Sequence, residues 1–288
     1  MAMLDPATTP SAAELVRHEG QKRWTRFILP VYTIAMVVYL ASPILVMILY
    51  GFNDVPHERQ TPEFWGFTLS WYRQAFGVPG LSDALQNSLL IALTAAVIAT
   101  VIGTFLGLAL GRYVFAGKAL LLFFIFLAIA VPEIVLGSSL LTLFIQGRFI
   151  LGLGTILVAH IAFDVPFVAV TVQARVAGMD RSLEDAAYDL YARPTTAFLR
   201  VTLPQILPGV FAGFLLAFVL SLDDFVITQF VSGTTQTFPI WVFGATRVGL
   251  PPQVNVMGTL LFAIGLAIAI GNVVVRRQSA TSSRGRLS

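Results

Sequence analysis

Six stretches of this chain are long and nearly free of charge, and that one feature leaves few folds open. Phe27–Tyr50, Ser88–Gly111 and Val254–Val275 carry no charged residue. Ala119–Gln146 carries only Glu133, Thr155–Ala174 only His160 and Asp164, and Ile206–Thr228 only Asp223 and Asp224. A helix needs about 20 apolar residues to cross hydrocarbon, and a spanning segment must satisfy its own backbone polar groups. The expected fold class is all-α: a polytopic membrane bundle of six transmembrane helices over residues 27–275, with tails at 1–26 and 276–288. Composition agrees, since 57% of residues are hydrophobic and 11% charged, against about 25% charged in ordinary soluble domains. The first run exceeds the roughly 7–15 apolar residues of a signal core, so it reads as a retained helix. The first 22 residues and the last ten read as loosely ordered tails.

Basic residues then set the orientation. Of the 18 lysines and arginines, 14 fall on one side of the expected spans: Arg17, Lys22, Arg23 and Arg26; Arg112 and Lys118; Arg175, Arg181, Arg193 and Arg200; Arg276, Arg277, Arg284 and Arg286. Arg59, Arg73, Arg148 and Arg247 fall on the other. Both termini are therefore expected in the cytoplasm.

Several chemistries are excluded. There are no cysteines, hence no disulfide framework or thiolate site. The nearest approach to a P-loop, Gly111 to Ala119, has one residue too many between its glycines, and Ala119 stands where a hydroxyl would bind magnesium. His18, His57 and His160 are scattered, so no histidine metal cluster is suggested. No basic run interleaved with aromatics marks a nucleic-acid surface.

Two connections are long. Residues 51–83 hold Trp65, Trp71 and Tyr72, which read as interfacial anchors or as a docking surface for an external partner. Residues 175–205 read as two short amphipathic helices. Ser182-Leu183-Glu184-Asp185 fits a capping box, and Ala186, Ala187 and Leu190 continue a helix from Leu183 to Tyr191. Pro194 suits a first turn, with Phe198, Leu199 and Val201 as an apolar stripe before Leu203, Pro204 and Pro208 end it and open the fifth span. Such a pair suits lying on lipid or filling a groove of a partner.

Four carboxylates fall within the spans: Glu133, Asp164, Asp223 and Asp224. A charge in hydrocarbon costs on the order of 2.5–3.5 kcal/mol, so such residues face an aqueous path or a partner. No lysine or arginine lies in the six windows, and an acidic lining suits a cationic substrate. Adjacent helical residues point about 100° apart, so one of Asp223 and Asp224 would face the path. Glu133 follows Pro132, where a broken backbone could itself need a partner. Asp164 lies one turn after His160, which suits an internal hydrogen bond between them.

The loop also carries a resemblance. Glu184-Asp185-Ala186-Ala187, followed at motif spacing by Val201-Thr202-Leu203-Pro204, resembles the EAA loop of binding-protein-dependent ABC importer permeases. Gly66–Tyr72, Asn87-Ser88-Leu89, Pro132–Gly137, Ser221–Thr228, Phe238-Pro239-Ile240 and Arg247-Val248-Gly249 are similar to the PotC-type, spermidine/putrescine branch of that family. The resemblance implies a type I (MetI-like) permease fold in a bacterial inner membrane and the translocation of a small cation such as a polyamine. It implies two copies of an ATP-binding subunit, a second and distinct homologous permease, and an extracytoplasmic substrate-binding protein, with no cofactor. Glu184 would face the ATPase, Ala186 and Ala187 would allow close packing, and Asp185, Leu190, Tyr191, Leu203 and Pro204 would share the docking surface. One position departs: Tyr191 stands where the family keeps glycine at the bend. An ABC importer permease for another small amine or organic ion, or an ion-coupled secondary carrier with inverted repeats, is the alternative. An intramembrane hydrolase lacks a paired nucleophile.

Overall fold

The computed structural model describes residues 12–56 and 59–267, so the far end of the expected sixth span, residues 268–275, and the C-terminal tail lie outside the described residues. The chain divides into two compact units, residues 1–75 with 251–288 and residues 76–250.

The first unit holds α1 (Ala12–Tyr50), α2 (Ser70–Arg73) and α12 (Gln253–Ala267). Helix α1 begins well before Phe27, so much of the expected tail is helical; Ala12, Ala13, Glu14 and Leu15 are good helix formers. Gly258 on α12 lets Met47 of α1 approach, since a Cβ there would lie 2.6 Å from its sulfur. The connection after α1 folds on itself around Asn53. The Asn53 amide donates to the Glu63 carbonyl (2.8 Å) and accepts from the Trp65 N–H (2.8 Å). Trp71 donates its indole N–H to the Asn53 carbonyl (2.8 Å) and is buried. Phe52 stacks on Phe67 and Tyr72. Of the expected interfacial rings, Trp71 is thus a core residue of this loop, while Trp65 stays exposed.

The second unit holds α3 (Leu81–Arg112), α4 (Lys118–Ala130), α5 (Glu133–Gln146), α6 (Leu153–Ala177), α7 (Ser182–Asp189), α8 (Pro194–Ala197), α9 (Leu203–Asp223), α10 (Val226–Val231) and α11 (Phe238–Thr246). Its centre is α3, α6 and α9 packed together. Small residues make this possible. Gly103, Gly107 and Gly111 recur every fourth residue on α3 and meet Val168, Val172 and Val176 of α6; a Cβ at Gly107 would sit 2.7 Å from the Ala169 carbonyl oxygen. Gly209 and Gly213 repeat the device on α9, against Arg175 and Val168. Between membrane helices, packing and not water exclusion drives association, and small residues let backbones approach.

Four helical segments are long and apolar enough to cross a bilayer alone: Phe27–Tyr50, Leu81–Arg112, Leu153–Ala177 and Pro194–Asp223. The expected third span is not straight. It is α4 and α5, bent by 104° at Val131 and Pro132. Pro132 has no N–H to give the helix and drives Val131 extended (φ −66°, ψ 129°). The expected fifth span also differs. Its helix starts at Pro194, passes through a π-helical turn at Phe198–Thr202, and ends at Asp223. Pro204 does not stop it: the widened turn holds Arg200, whose carbonyl a proline four residues on would otherwise crowd.

Gly107→Val should destabilise the unit by about 1–3 kcal/mol or more through overpacking, read as a lower melting temperature in detergent. Gly154→Ala on α6 has open space around it and should melt at or slightly above the parent temperature. Equal melting of the two variants would refute the close-packing account.

Candidate functional site

The connection after α6 is tied to the bundle by one carboxylate. Glu184 sits in the first turn of α7 and is buried (3% exposed). Arg112, the last residue of α3, donates from both terminal guanidinium nitrogens to the two Glu184 oxygens, and the Thr202 hydroxyl of the π-helical turn donates to the same carboxylate. Three elements thus meet on Glu184. Arg175 adds a tie from α6, donating through Nε to the Gln205 carbonyl (2.8 Å). The Glu184 carboxylate therefore points into the protein and not outward to a partner. Nor does Ser182 open a capping box. Asp180, one residue ahead of the N-cap, instead accepts from the Ser182 N–H (2.9 Å), and this bond holds its carboxyl below the usual carboxylate range. That bond is complete at neutral pH and is weakened as pH falls through the lowered Asp180 pKa.

What α7 presents outward is Leu183, Asp185, Ala186, Tyr188 and Asp189, followed by Leu190 and Tyr191. Ala187 and Leu203 are half-buried, and Pro204 is exposed. Tyr191 has φ +57°. Its N–H donates to the Tyr188 carbonyl (2.9 Å), and the Ala192 N–H donates to the Ala187 carbonyl (3.0 Å). These two bonds form a Schellman cap with Tyr191 in the left-handed position. The bend that glycine would make cheaply is therefore made by tyrosine, at a cost of roughly 1–2 kcal/mol.

The membrane carboxylates separate into different roles. Asp224 is buried at the break after α9. Its side chain accepts from the N–H groups of Ile227 (3.3 Å) and Thr228 (2.8 Å) and from the Thr228 hydroxyl (2.7 Å), so it caps α10. His160 completes the cluster, with Nδ1 2.6 Å from Ser221 Oγ and Nε2 2.8 Å from Thr228 Oγ1. Thr228 gives its one hydroxyl proton to Asp224, so Nε2 of His160 carries the proton that reaches Thr228. His160 also lies 3.3 Å from Asp224. The expected partner of His160 was Asp164; the structure gives it Ser221, Thr228 and Asp224 instead. Asp164 is fully buried, and neither of its oxygens has a hydrogen-bond partner.

Asp223 and Glu133 remain exposed. Asp223 ends α9 and Glu133 begins α5, so each marks a helix break within the apolar layer. The breaks are neighbours: α5 packs on α10, with Gly137 against Phe230 and Ile227, and Glu133 lies within the field of both Asp223 and Asp224. Sequence reasoning missed Arg112, Thr202, Ser221 and Thr228 as partners. Spacing holds no signal for them, because Arg112 and Glu184 are 72 residues apart. Sequence reasoning also missed the glycine ladder of α3, whose four-residue repeat stands in the sequence.

Residues 103–284 match a family described as the binding-protein-dependent transport system inner membrane component. The chain is 35% identical over 252 residues, 87% of this chain and 94% of the relative, to the spermidine/putrescine transport system permease protein PotC of Escherichia coli. It is 36% identical over 237 residues, 79% and 83% of the two chains, to the putrescine transport system permease protein PotI of the same organism. Its fold is similar to a chain of a bacterial ABC transporter that imports the acidic polysaccharide alginate (TM-score 0.63, 15% identity, covering 89% of this chain and 97% of that one). It is also similar to a chain of the inward-facing methionine transporter MetNI (TM-score 0.54, 17% identity, 73% and 98%).

Glu184→Ala should cost about 2–3 kcal/mol, between the values for exposed and buried ion pairs, because Arg112 keeps 26% of its side chain in water. The exchange Arg112→Glu with Glu184→Arg should recover part of that loss. A double-mutant cycle on detergent melts measures the coupling, and a coupling near zero would remove the clasp from the argument.

Proposed function

The chain belongs to the family of inner-membrane components of binding-protein-dependent transport systems and is a permease subunit of an ABC importer, and from that premise we propose that it forms half of a path for a small cation, a polyamine such as spermidine or putrescine. The observation that carries this reading is the pair of exposed carboxylates, Glu133 and Asp223, at adjoining helix breaks in a chain whose expected spans hold no lysine or arginine. A path that strips water from an ammonium group must offer negative charge in its place, and carboxylates at broken helices do so. Asp224 serves the path indirectly, by shaping the break, and Asp164 is enclosed between helices. The names of the PotC and PotI relatives agree with the substrate class. The fold does not decide it, since an importer of an acidic polysaccharide shares that fold.

In this reading the bent α4–α5 pair counts as one span and α12 begins the sixth, with both termini cytoplasmic. A second, distinct permease supplies the other half of the path, two ATP-binding subunits dock on the cytoplasmic loops, and a substrate-binding protein delivers the cargo from outside. ATP is hydrolysed by the ATP-binding subunits, since this chain is not itself an ATPase. Residues 175–205 form the docking element, through the outward face of α7 and the bend after it. Ala187, half-buried, would admit the partner only if it stays small.

Proteoliposomes holding the whole transporter and its binding protein test the cation path. Glu133→Gln and Asp223→Asn should each lower spermidine or putrescine uptake by roughly tenfold, an effect of about 1.4 kcal/mol, while ATPase association stays intact. Unchanged uptake of every small amine in both variants would sink the acidic path.

A further inference from the structure

Asp164 belongs to neither polar cluster of its unit. It is fully buried, and neither of its oxygens has a hydrogen-bond partner. An ionised carboxylate without a partner is not sustained in such a place, so the side chain holds its proton. On α6 it lies one turn from His160 and one turn from Val168, which packs with Ala96 and Ala99 of α3 and Ala217 of α9. Of the elements packed on α6, α3 carries charge only near its ends (Asp83, Arg112), α4 only at Lys118 and α5 only at Glu133; α9 ends on Asp223 with Asp224 after it, and α10 carries none. The base within reach of Asp164 is therefore His160.

Nε2 of His160 carries the proton directed at Thr228 and Asp224, so Nδ1 is left as an acceptor, and the Ser221 hydroxyl, 2.6 Å away, donates to it. Ser221 belongs to α9, so this bond ties α9 to α6. A shift of α9 that withdraws Ser221 would leave Nδ1 buried and unpaired, and the loss of that bond opposes the shift. Asp164, one turn along the same helix face, can supply the missing proton. Pro166 gives no N–H to the Ala162 carbonyl, so the turn of α6 that holds Asp164 lacks one rung and can adjust.

We propose that His160 is a two-position latch: Ser221 donates to Nδ1 while α9 rests on α6, and Asp164 passes its proton to Nδ1 when α9 moves away. The step balances within the protein. The Asp164 O–H bond breaks, an Nδ1–H bond forms, and no proton is exchanged with water. It leaves an imidazolium between two carboxylates, Asp164 on its own helix and Asp224 at the break, and both stabilise the charge. Asp164 is a positioning residue, acting through His160 on the packing of α9. The latch rests on the chain being a moving half of an importer and is independent of the cargo.

Infrared difference spectra of the whole transporter in nanodiscs test this without any substrate, so their failure is distinct from failure of the cation path. At rest the parent should show the carbonyl stretch of a protonated carboxylic acid that Asp164→Leu lacks. Ser221→Ala frees Nδ1 without moving α9, so this variant should lose the band at rest, and nitrogen NMR should show its His160 doubly protonated. Trapping the parent with ATP and vanadate should remove the band as well. Asp164→Leu should melt at or above the parent temperature, because a buried unpartnered acid is gone, yet lower ATP-driven uptake roughly tenfold, the effect of one unmade hydrogen bond on the opening. Absence of the acid band from the resting parent overturns the latch, since Asp164 is then ionised. A band that survives in Ser221→Ala or in the trapped parent makes Asp164 a static neutral residue and overturns it too. Parental uptake by Asp164→Leu does the same.

Discussion

Helices in hydrocarbon gain nothing by hiding from lipid, so everything here depends on how closely α3, α6 and α9 can approach. Their contact is made by subtraction of side chains. Gly103, Gly107 and Gly111 bring the α3 backbone onto the valines of α6, and Gly209 and Gly213 bring α9 against the same helix. Dispersion is short-ranged, and a gap of even half an ångström forfeits a quarter of it. The result is a stiff triple-helix block to which the other elements of the same unit are attached.

Polar groups are used sparingly and at the ends of elements. Asp224, His160, Ser221 and Thr228 form a closed set that stabilises the break between α9 and α10. Glu184, Arg112 and Thr202 form another at the opposite end of α9, fastening α7 to the block. The first set gives partners to backbone N–H groups left open at the start of α10, and the second joins side chains of three elements. Asp223 and Glu133 are left out of both sets and stay exposed at their helix ends.

Four of the expected spans, and a fifth as a bent pair, were legible because hydrocarbon tolerates so few residue types; counting charges found them. The first helix of the loop was legible from the helix formers of Ser182–Asp189 and the second from Pro194, but the stop expected at Pro204 was not there, and that helix runs on to Asp223. A break at Pro132 was signalled by the proline itself, but the size of the bend there and the short helix after Asp224 were not, since hydropathy measures affinity for lipid and not backbone direction, and the apolar runs continue across both. The inward turn of Glu184 was hidden for another reason. Its partner lies on a different helix, and one sequence carries no periodicity linking two elements 72 residues apart. Motif resemblance placed Glu184 correctly in the chain while its implied direction was outward. Asp164 next to His160 was the reverse case: spacing allowed a pair, and better acceptors on α9 and α10 took the histidine.

The π-helical turn has a mechanical consequence. Because Pro204 does not end the helix, Pro194–Asp223 is one element of 30 residues, about 45 Å long at 1.5 Å per residue. One end lies in the connecting loop and the other at the Asp223 break, with no linker between them to absorb motion. Pivoted near one end, such a rod turned by about 5° carries its far tip roughly 4 Å, on the scale of a hydrated ion's radius. The extra residue in its winding makes it a single lever between the loop and the Asp223 break.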